Sequence, residues 1–222
     1  MRLELPGLFD LQVNGFAGVD FNNLGISDAK LLSAINRIRA TGVTRFLPTL
    51  ITSSLERFTQ CARALRAVQH PAIAGLHMEG PYISAEDGPR GAHPSEHVVL
   101  PTIEDFARRQ DVAKGEIRLV TLAPELPGSG ALIEHLVGQG IRVAIGHTAA
   151  TPEQIRAAVQ AGATLSTHLG NACAQQLPRH PNLIWEQLAA DEMCASLIVD
   201  GHHLPPATVK SMIRAKTLAR TI

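Results

Sequence analysis

The sequence predicts an α/β fold in which parallel strands alternate with crossover helices, as in a TIM-like (β/α) barrel. Short β-branched or apolar runs alternate with helical stretches along the whole chain. The 222 residues suit one large domain, and neither a linker nor a low-complexity tract divides them. About seven strand–helix units result, which favours an incomplete barrel over an open doubly wound sheet. We therefore expect one partial barrel domain over residues 1–222.

Each predicted strand is a short apolar or β-branched run. The strands cover residues 8–13, 43–50, 72–78, 117–122, 142–145, 164–168 and 194–199, and residues 219–222 resemble the start of an eighth. The predicted helices cover residues 28–40, 55–68, 103–109, 129–138, 152–161, 183–190 and 206–215. Ser27 and Thr151 precede two helices as N-cap residues. Gly42, Gly140 and Gly162 follow three others, where a left-handed residue closes the last turn.

Charge and composition exclude several classes of protein. Twenty Lys and Arg residues balance 20 Asp and Glu residues, so no basic surface for nucleic acid or acidic lipid is indicated. Hydrophobic residues make up 45% of the chain and charged residues 18%, which excludes a disordered or coiled-coil chain. No apolar run has membrane-helix length, the first residues lack a secretory hydrophobic region, and three widely spaced cysteines fit a reducing compartment. We expect a cytoplasmic protein without nucleic-acid or membrane partners.

Polar residues stand at the predicted carboxyl ends of the strands, where barrel enzymes carry their active sites. Glu79, His147 and His168 stand at the ends of three strands and together supply one carboxylate and two imidazoles. This set suits zinc or a similar divalent ion with a position left open for water. We therefore predict a hydrolytic metal site, with zinc as the expected ion and iron or manganese as alternatives.

Short motifs are spread along almost the whole chain. They include residues 12–15 (QVNG), 77–81 (HMEGP), 91–94 (GAHP), 146–148 (GHT), 167–172 (THLGNA) and 200–203 (DGHH). One such pattern can arise by chance, but several in a fixed order do not. In these motifs the chain resembles the N-acetylglucosamine-6-phosphate deacetylases of the amidohydrolase superfamily.

The resemblance assigns the metal to Glu79, His147 and His168. It also makes Gln12 and Asn14 candidate site residues, because many amidohydrolases carry two histidines at these places on strand one. Since Gln and Asn are poor zinc ligands, a single divalent ion is expected rather than two.

The resemblance further implies a site for a small amino sugar phosphate. Its members are Ala92, His93, Asn171, Ala172, Arg179 and His203. The arginine is expected to bind the phosphate, and in relatives it can reach across a dimer interface, so a homodimer is expected for the full-length form. Arg90, in the variable loop before His93, could be a cation of the pocket, but an exposed loop charge is expected. Gly170 and Cys173 replace an aromatic residue and a methionine often found in the family.

The family's general base is an aspartate in a Thr-Asp-Ala segment at the end of strand eight. It is expected just beyond Ile222, and the small β-sandwich domain of the family has no counterpart in the 222 residues. We therefore expect a truncated chain that binds metal, turns over slowly or not at all, and leaves edge strands prone to association.

The expected reaction is hydrolysis of a linear amide: the acetamide of N-acetylglucosamine 6-phosphate yields glucosamine 6-phosphate and acetate. Two alternatives remain open. The substrate could be another N-acetyl amino sugar phosphate, such as N-acetylgalactosamine 6-phosphate. The chain could also be a non-catalytic protein that binds metal and sugar phosphate.

Overall fold

The computed structural model describes residues 6–222, in which strands and helices alternate as predicted. Residues 1–5, which belong to the predicted domain, lie outside the described residues. The strands are β1 (Leu8–Val13), β2 (Gly15–Phe16), β3 (Val19–Asp20), β4 (Val43–Ile51), β5 (Leu76–Glu79), β6 (Ile117–Leu122), β7 (Arg142–Ile145), β8 (Leu165–Ser166) and β9 (Cys194–Ala195). The helices are α1 (Asp28–Ala40), α2 (Leu55–Ala67), α3 (Ile103–Val112), α4 (Ser129–Gly138), α5 (Pro152–Gln160), α6 (Leu183–Ala189) and α7 (Pro206–Lys216).

Within the described residues, seven strands form one sheet in the order β1-β4-β5-β6-β7-β8-β9. The strands of this sheet occur in the same order in space as along the chain. A doubly wound sheet would reverse this order at its switch point, whereas a barrel does not. Strands β2 and β3 form a separate antiparallel hairpin. No helix within residues 6–222 is both long and apolar enough to cross a membrane.

The chain divides into two compact units, Met1–Glu79 with Phe106–Arg118 and Gly80–Asp105 with Leu119–Ile222. In the first unit, α1 buries Leu31, Ile35 and Ile38, whose three- and four-residue spacing places them on one face. In the same unit, the buried Arg109 guanidinium lies over the Phe58 ring, 5.5 Å from its centroid. The prediction of a single domain stays a prediction.

In the second unit, parallel pairs join β6 to β7, β7 to β8 and β8 to β9. The Thr151 side chain accepts from the backbone N–H of Gln154, whose side chain accepts in return from the Thr151 N–H at 2.8 Å. This reciprocal capping box fixes the start of α5, as the sequence predicts. At the other end of the unit, Thr221 forms a parallel bridge with Ala195 on β9. The expected start of a further strand over residues 219–222 is therefore only partly confirmed, because Leu218–Arg220 form a 3-10 helix.

Three predicted strands are shorter in the structure. The third begins at Leu76 rather than residue 72, because Gly75 has a φ of +134° and interrupts the extended backbone. A Cβ at Gly75 would lie 2.3 Å from Arg118 Cγ, so the close packing also requires glycine. The sixth and seventh predicted strands shrink to two residues each, and His168 already lies in the left-handed region.

The β2–β3 hairpin was not predicted from the sequence. Its strands have two residues each, too few for a period to be visible. Ala17 and Gly18 form its turn with φ angles of +52° and +83°, the positive values that a type I′ turn requires. The glycines predicted to close helices are confirmed in the left-handed region: Gly42, Gly140 and Gly162.

Loss of the α5 cap should destabilise the protein measurably. We expect Thr151→Ala to lower the free energy of unfolding by about 1 kcal/mol, because the N–H of Gln154 loses its acceptor. Thr151→Ser keeps a hydroxyl and should retain most of that stability. Urea unfolding followed by circular dichroism compares the variants, and equal stabilities for the Ala and wild-type chains would contradict the prediction.

Candidate functional site

Three of the predicted site residues have a backbone conformation that side-chain-bearing residues rarely adopt. The φ angles are +52° at His147, +34° at His168 and +48° at Ala172. A left-handed conformation costs a non-glycine residue about 1–2 kcal/mol, so neighbouring contacts must hold it. Ser84 N donates to the His147 carbonyl at 2.9 Å, and His168 N donates to Ser196 Oγ at 2.8 Å. Such outliers concentrate at functional sites.

The imidazoles of His147 and His168 face each other at the ends of β7 and β8. Their Nε2 atoms are 3.2 Å apart, and both side chains are buried. His147 Nδ1 lies 3.0 Å from the Pro89 carbonyl oxygen. Because a carbonyl only accepts, this nitrogen carries the hydrogen. A neutral His147 therefore keeps its lone pair on Nε2, the atom that faces His168.

Glu79 is the last residue of β5 and is buried. Its Oε1 accepts a hydrogen bond of 2.8 Å from Gln12 Nε2 on β1. Glu79, His147 and His168 each offer one ligand atom, and these atoms lie within 4.8 Å of one another. One carboxylate and two imidazoles form a ligand set that could hold a divalent metal ion.

His93 is buried beside this histidine pair. Its ring centroid is 4.2 Å from that of His147, with the planes inclined at 53°. Ala92, the residue before it, is exposed. The loop that carries these residues also contains Pro89, which accepts from His147. One short segment therefore contacts a predicted metal ligand and carries two of the residues predicted to bind substrate.

Arg90 was expected to be an exposed loop charge, and this expectation is wrong. Its side chain is 23% exposed, donates from Nη1 to the His93 carbonyl at 2.9 Å, and forms an ion pair with Asp87. The guanidinium thus joins the two ends of the loop. Because Arg90 lies close to His93 in the sequence, a contact between them could be expected. The sequence does not, however, predict the direction of the Arg90 side chain.

Asn171 and Ala172 are half-buried on the turn after His168. Asn171 donates to the His168 carbonyl from its backbone N at 2.9 Å and from Nδ2 at 3.3 Å. Burial raises the pKa of the neighbouring Cys173 thiol, which favours its neutral form. Asn14, after β1, is half-buried, and its carbonyl accepts from Phe21 N at 2.9 Å.

Arg179 and His203 lie on exposed segments of the second unit. The Asp200 carboxylate accepts from the backbone N–H groups of His203 and His202, and its Oδ2 is 2.8 Å from His203 Nδ1. These contacts hold the pKa of Asp200 well below its usual value, and the hydrogen bond from the backbone N–H of His203 has the largest effect. The structure therefore orients the His203 ring through an ionised carboxylate.

Comparison with known proteins supports the resemblance, although no protein-family model matches the chain. The N-acetylglucosamine-6-phosphate deacetylase of Bacillus subtilis (strain 168) is 34% identical over 98% of this chain, and that of Homo sapiens is 37% identical over 96%. The resemblance to these deacetylases is confirmed. The chain spans about half the length of the curated relatives it matches, 56% and 55% for these two.

Solved structures of N-acetylglucosamine-6-phosphate deacetylases have the fold of this chain. The Mycobacterium smegmatis deacetylase superposes with a TM-score of 0.89 at 34% identity, covering 97% of this chain and 61% of that one. The Thermotoga maritima deacetylase gives 0.83 at 28% identity, covering 96% and 56%. The prediction of an incomplete TIM-like barrel is confirmed.

Replacement of Arg90 should loosen the loop around His93. We expect Arg90→Met to increase amide hydrogen exchange over residues 86–93 by about tenfold or more, because a hydrogen bond to a charged group contributes about 1.5–3 kcal/mol. Arg156→Met is the matched control, since it removes an arginine of α5 that pairs with Glu153 on the same helix and with Glu186 on α6. Unchanged exchange in Arg90→Met would contradict the role of the guanidinium.

The low pKa of Asp200 can be measured directly. In an NMR titration, we expect the carboxyl to titrate below the ordinary range of aspartate, and His203→Ala to raise its pKa by removing one donor. The folded-state pKa is depressed, so any stability that the ionised carboxylate confers is present above about pH 4 and lost as the pH falls. An ordinary aspartate pKa in the wild-type chain would refute the assignment.

Proposed function

We propose that this chain is the barrel part of a metal-dependent deacetylase that converts N-acetylglucosamine 6-phosphate to glucosamine 6-phosphate and acetate. The observation that carries the proposal is the pair of imidazoles whose Nε2 atoms face each other 3.2 Å apart. Two nitrogens that each lie 2.0–2.1 Å from a tetrahedral zinc are about 3.3 Å apart. The histidine pair therefore fits such an ion almost without rearrangement.

Glu79, His147 and His168 would hold one divalent ion, with zinc favoured and iron or manganese compatible with the same donors. When bound, such an ion supplies a Lewis acid and lowers the pKa of a water molecule to near neutrality. His147 is prepared for this role, because its Nδ1–H donates to Pro89 and leaves Nε2 as the ligand atom.

His93 would donate a hydrogen bond from its ring to the acetamide carbonyl, where negative charge develops as the carbon becomes tetrahedral. Its burial strengthens that contact, since little water competes. The Ala92 backbone, Asn171 and Ala172 would orient the sugar. Arg179 and His203 are exposed and would bind the phosphate, for which a guanidinium is well shaped.

The general base in this proposal is an aspartate beyond Ile222. It would take a proton from the attacking water and return it to the departing amine. The full-length protein would act as a homodimer in which Arg179 reaches the neighbouring site. Residues 1–222 alone would bind metal but hydrolyse the substrate slowly or not at all.

The names of the relatives support the substrate. One solved structure contains a mutant of the Mycobacterium smegmatis enzyme in complex with N-acetyl-D-glucosamine-6-phosphate. A second candidate has a specific observation in its favour, because an N-acetylgalactosamine-6-phosphate deacetylase of Shewanella sp. (strain ANA-3) is 34% identical over 96% of this chain. The two sugars differ in the configuration of one hydroxyl group, so the substrate could be either epimer.

Metal binding tests the ligand set. Calorimetric titration with Zn²⁺ should show one ion bound per wild-type chain. We expect His147→Ala and His168→Ala each to weaken binding by more than about 100-fold, beyond the loss typical of outer-shell partners. His135→Ala, on the partly exposed surface of α4, is the matched control and should bind like the wild type. Tight binding by both site variants would refute the proposed centre.

Turnover tests the reaction. We expect acetate release from N-acetylglucosamine 6-phosphate by a chain extended to include the Thr-Asp-Ala segment proposed beyond Ile222, and little or none by residues 1–222. The same assay on N-acetylgalactosamine 6-phosphate decides between the epimers. Absence of acetate release from both substrates by the metal-loaded, extended chain would instead favour a non-catalytic binding protein.

A further inference from the structure

The hydrogen bond between Gln12 and Glu79 joins residues 67 positions apart in the sequence. Gln12 Nε2 lies 2.8 Å from Glu79 Oε1, and the Glu79 side chain is buried. An ionised carboxylate can only accept, so the nitrogen of the Gln12 amide must be the atom that faces it. In this hydrogen bond Gln12 therefore donates and Glu79 accepts.

The strand that carries Gln12 is irregular at this point. The pairing of β1 with β4 shifts register between Asp10 and Val13. Side-chain oxygens accept the backbone hydrogen bonds there: Gln12 N donates to Asp10 Oδ1 at 3.0 Å, and Val13 N donates to Thr49 Oγ1 at 3.1 Å. Irregularities of this kind re-aim side chains beside active sites.

A second contact connects the β1 backbone next to Gln12 with β5. His77, two residues before Glu79, has its Nδ1 3.1 Å from the Leu11 carbonyl oxygen. The same nitrogen is 3.3 Å from Thr49 Oγ1 on β4. The backbone next to Gln12 is thus fixed relative to the strand that ends in Glu79, which holds the amide at hydrogen-bonding distance from the carboxylate.

We propose that Gln12 is a positioning residue for the metal centre, whose amide sets the orientation of the Glu79 carboxylate. This inference rests on the proposed function, in which Glu79 is a ligand. Outer-shell partners that orient a ligand contribute about 10–100-fold to metal affinity. A neutral donor suits the task, because a cation at this position would neutralise the carboxylate and repel a divalent ion.

Gln12→Met tests the role, since methionine has a similar length and no N–H donor. We expect its affinity for Zn²⁺, measured by competition with a chromophoric chelator, to fall about 10–100-fold while one ion still binds per chain. The matched control is Gln60→Met, which removes an amide that donates to Glu56 at 3.4 Å on the exposed surface of α2. That variant should bind Zn²⁺ like the wild type.

Two further measurements separate positioning from a general structural role. The Co²⁺-loaded Gln12→Met chain should show altered d–d absorption, because a reoriented carboxylate changes the ligand field, whereas the circular dichroism spectrum of the metal-free chain should remain that of the folded wild type. Gln12→Asn keeps the amide but withdraws it by one methylene, and it serves the same comparison if the methionine variant does not fold.

The outcomes distinguish this inference from the function on which it rests. A wild-type chain that binds no metal would overturn both. A wild-type chain that binds one ion, with equal affinity and an unchanged Co²⁺ spectrum in the folded Gln12 variants, would overturn the positioning role alone. Reduced affinity and an altered spectrum confined to the Gln12 variants would support it.

Discussion

The candidate site depends first on the hydrogen bond from His147 Nδ1 to the Pro89 carbonyl. It determines which ring nitrogen remains available as a ligand, and it connects the end of β7 to the loop that carries His93. Arg90 holds the other side of that loop by donating to the His93 carbonyl. This loop therefore sets both the tautomer of His147 and the position of the His93 ring. Disorder in the loop would affect both.

Backbone strain and ligand chemistry coincide at His147 and His168. Glycine would adopt their left-handed conformations without cost, but glycine has no imidazole. The neighbouring structure stabilises the unfavourable φ angles instead, through bonds from Ser84 N and to Ser196 Oγ. Gly91 also has a positive φ, and a Cβ there would approach the His147 ring to 3.5 Å. At Gly91 the positive φ angle favours glycine, since a Cβ at 3.5 Å from the ring would make only an ordinary contact. His147 and His168 have the same kind of backbone conformation but carry imidazoles that could bind a metal ion.

The sequence was sufficient to predict most elements and the strand-end placement of Glu79, His147 and His168, because parallel strands bring their carboxyl ends to one edge and capping residues mark helix ends. It could not reveal contacts that depend on irregular backbone. The pairing of Gln12 with Glu79 requires a register shift in β1, which alternation of apolar residues does not indicate. The direction of Arg90 likewise depends on the fold of its loop.

Charge within the candidate site explains why neutral partners suit its ligands. One carboxylate and two neutral imidazoles offset only one of the two charges of a divalent ion, which leaves an electrophilic centre. The partners of Glu79 and His147 described above, an amide and a carbonyl, orient these ligands without adding charge. By contrast, the cationic side chain of Arg179 is exposed, where a phosphate could reach it. Under the proposed function, neutral dipoles orient the ligands and a surface charge attracts the phosphate, so different residues perform the two tasks.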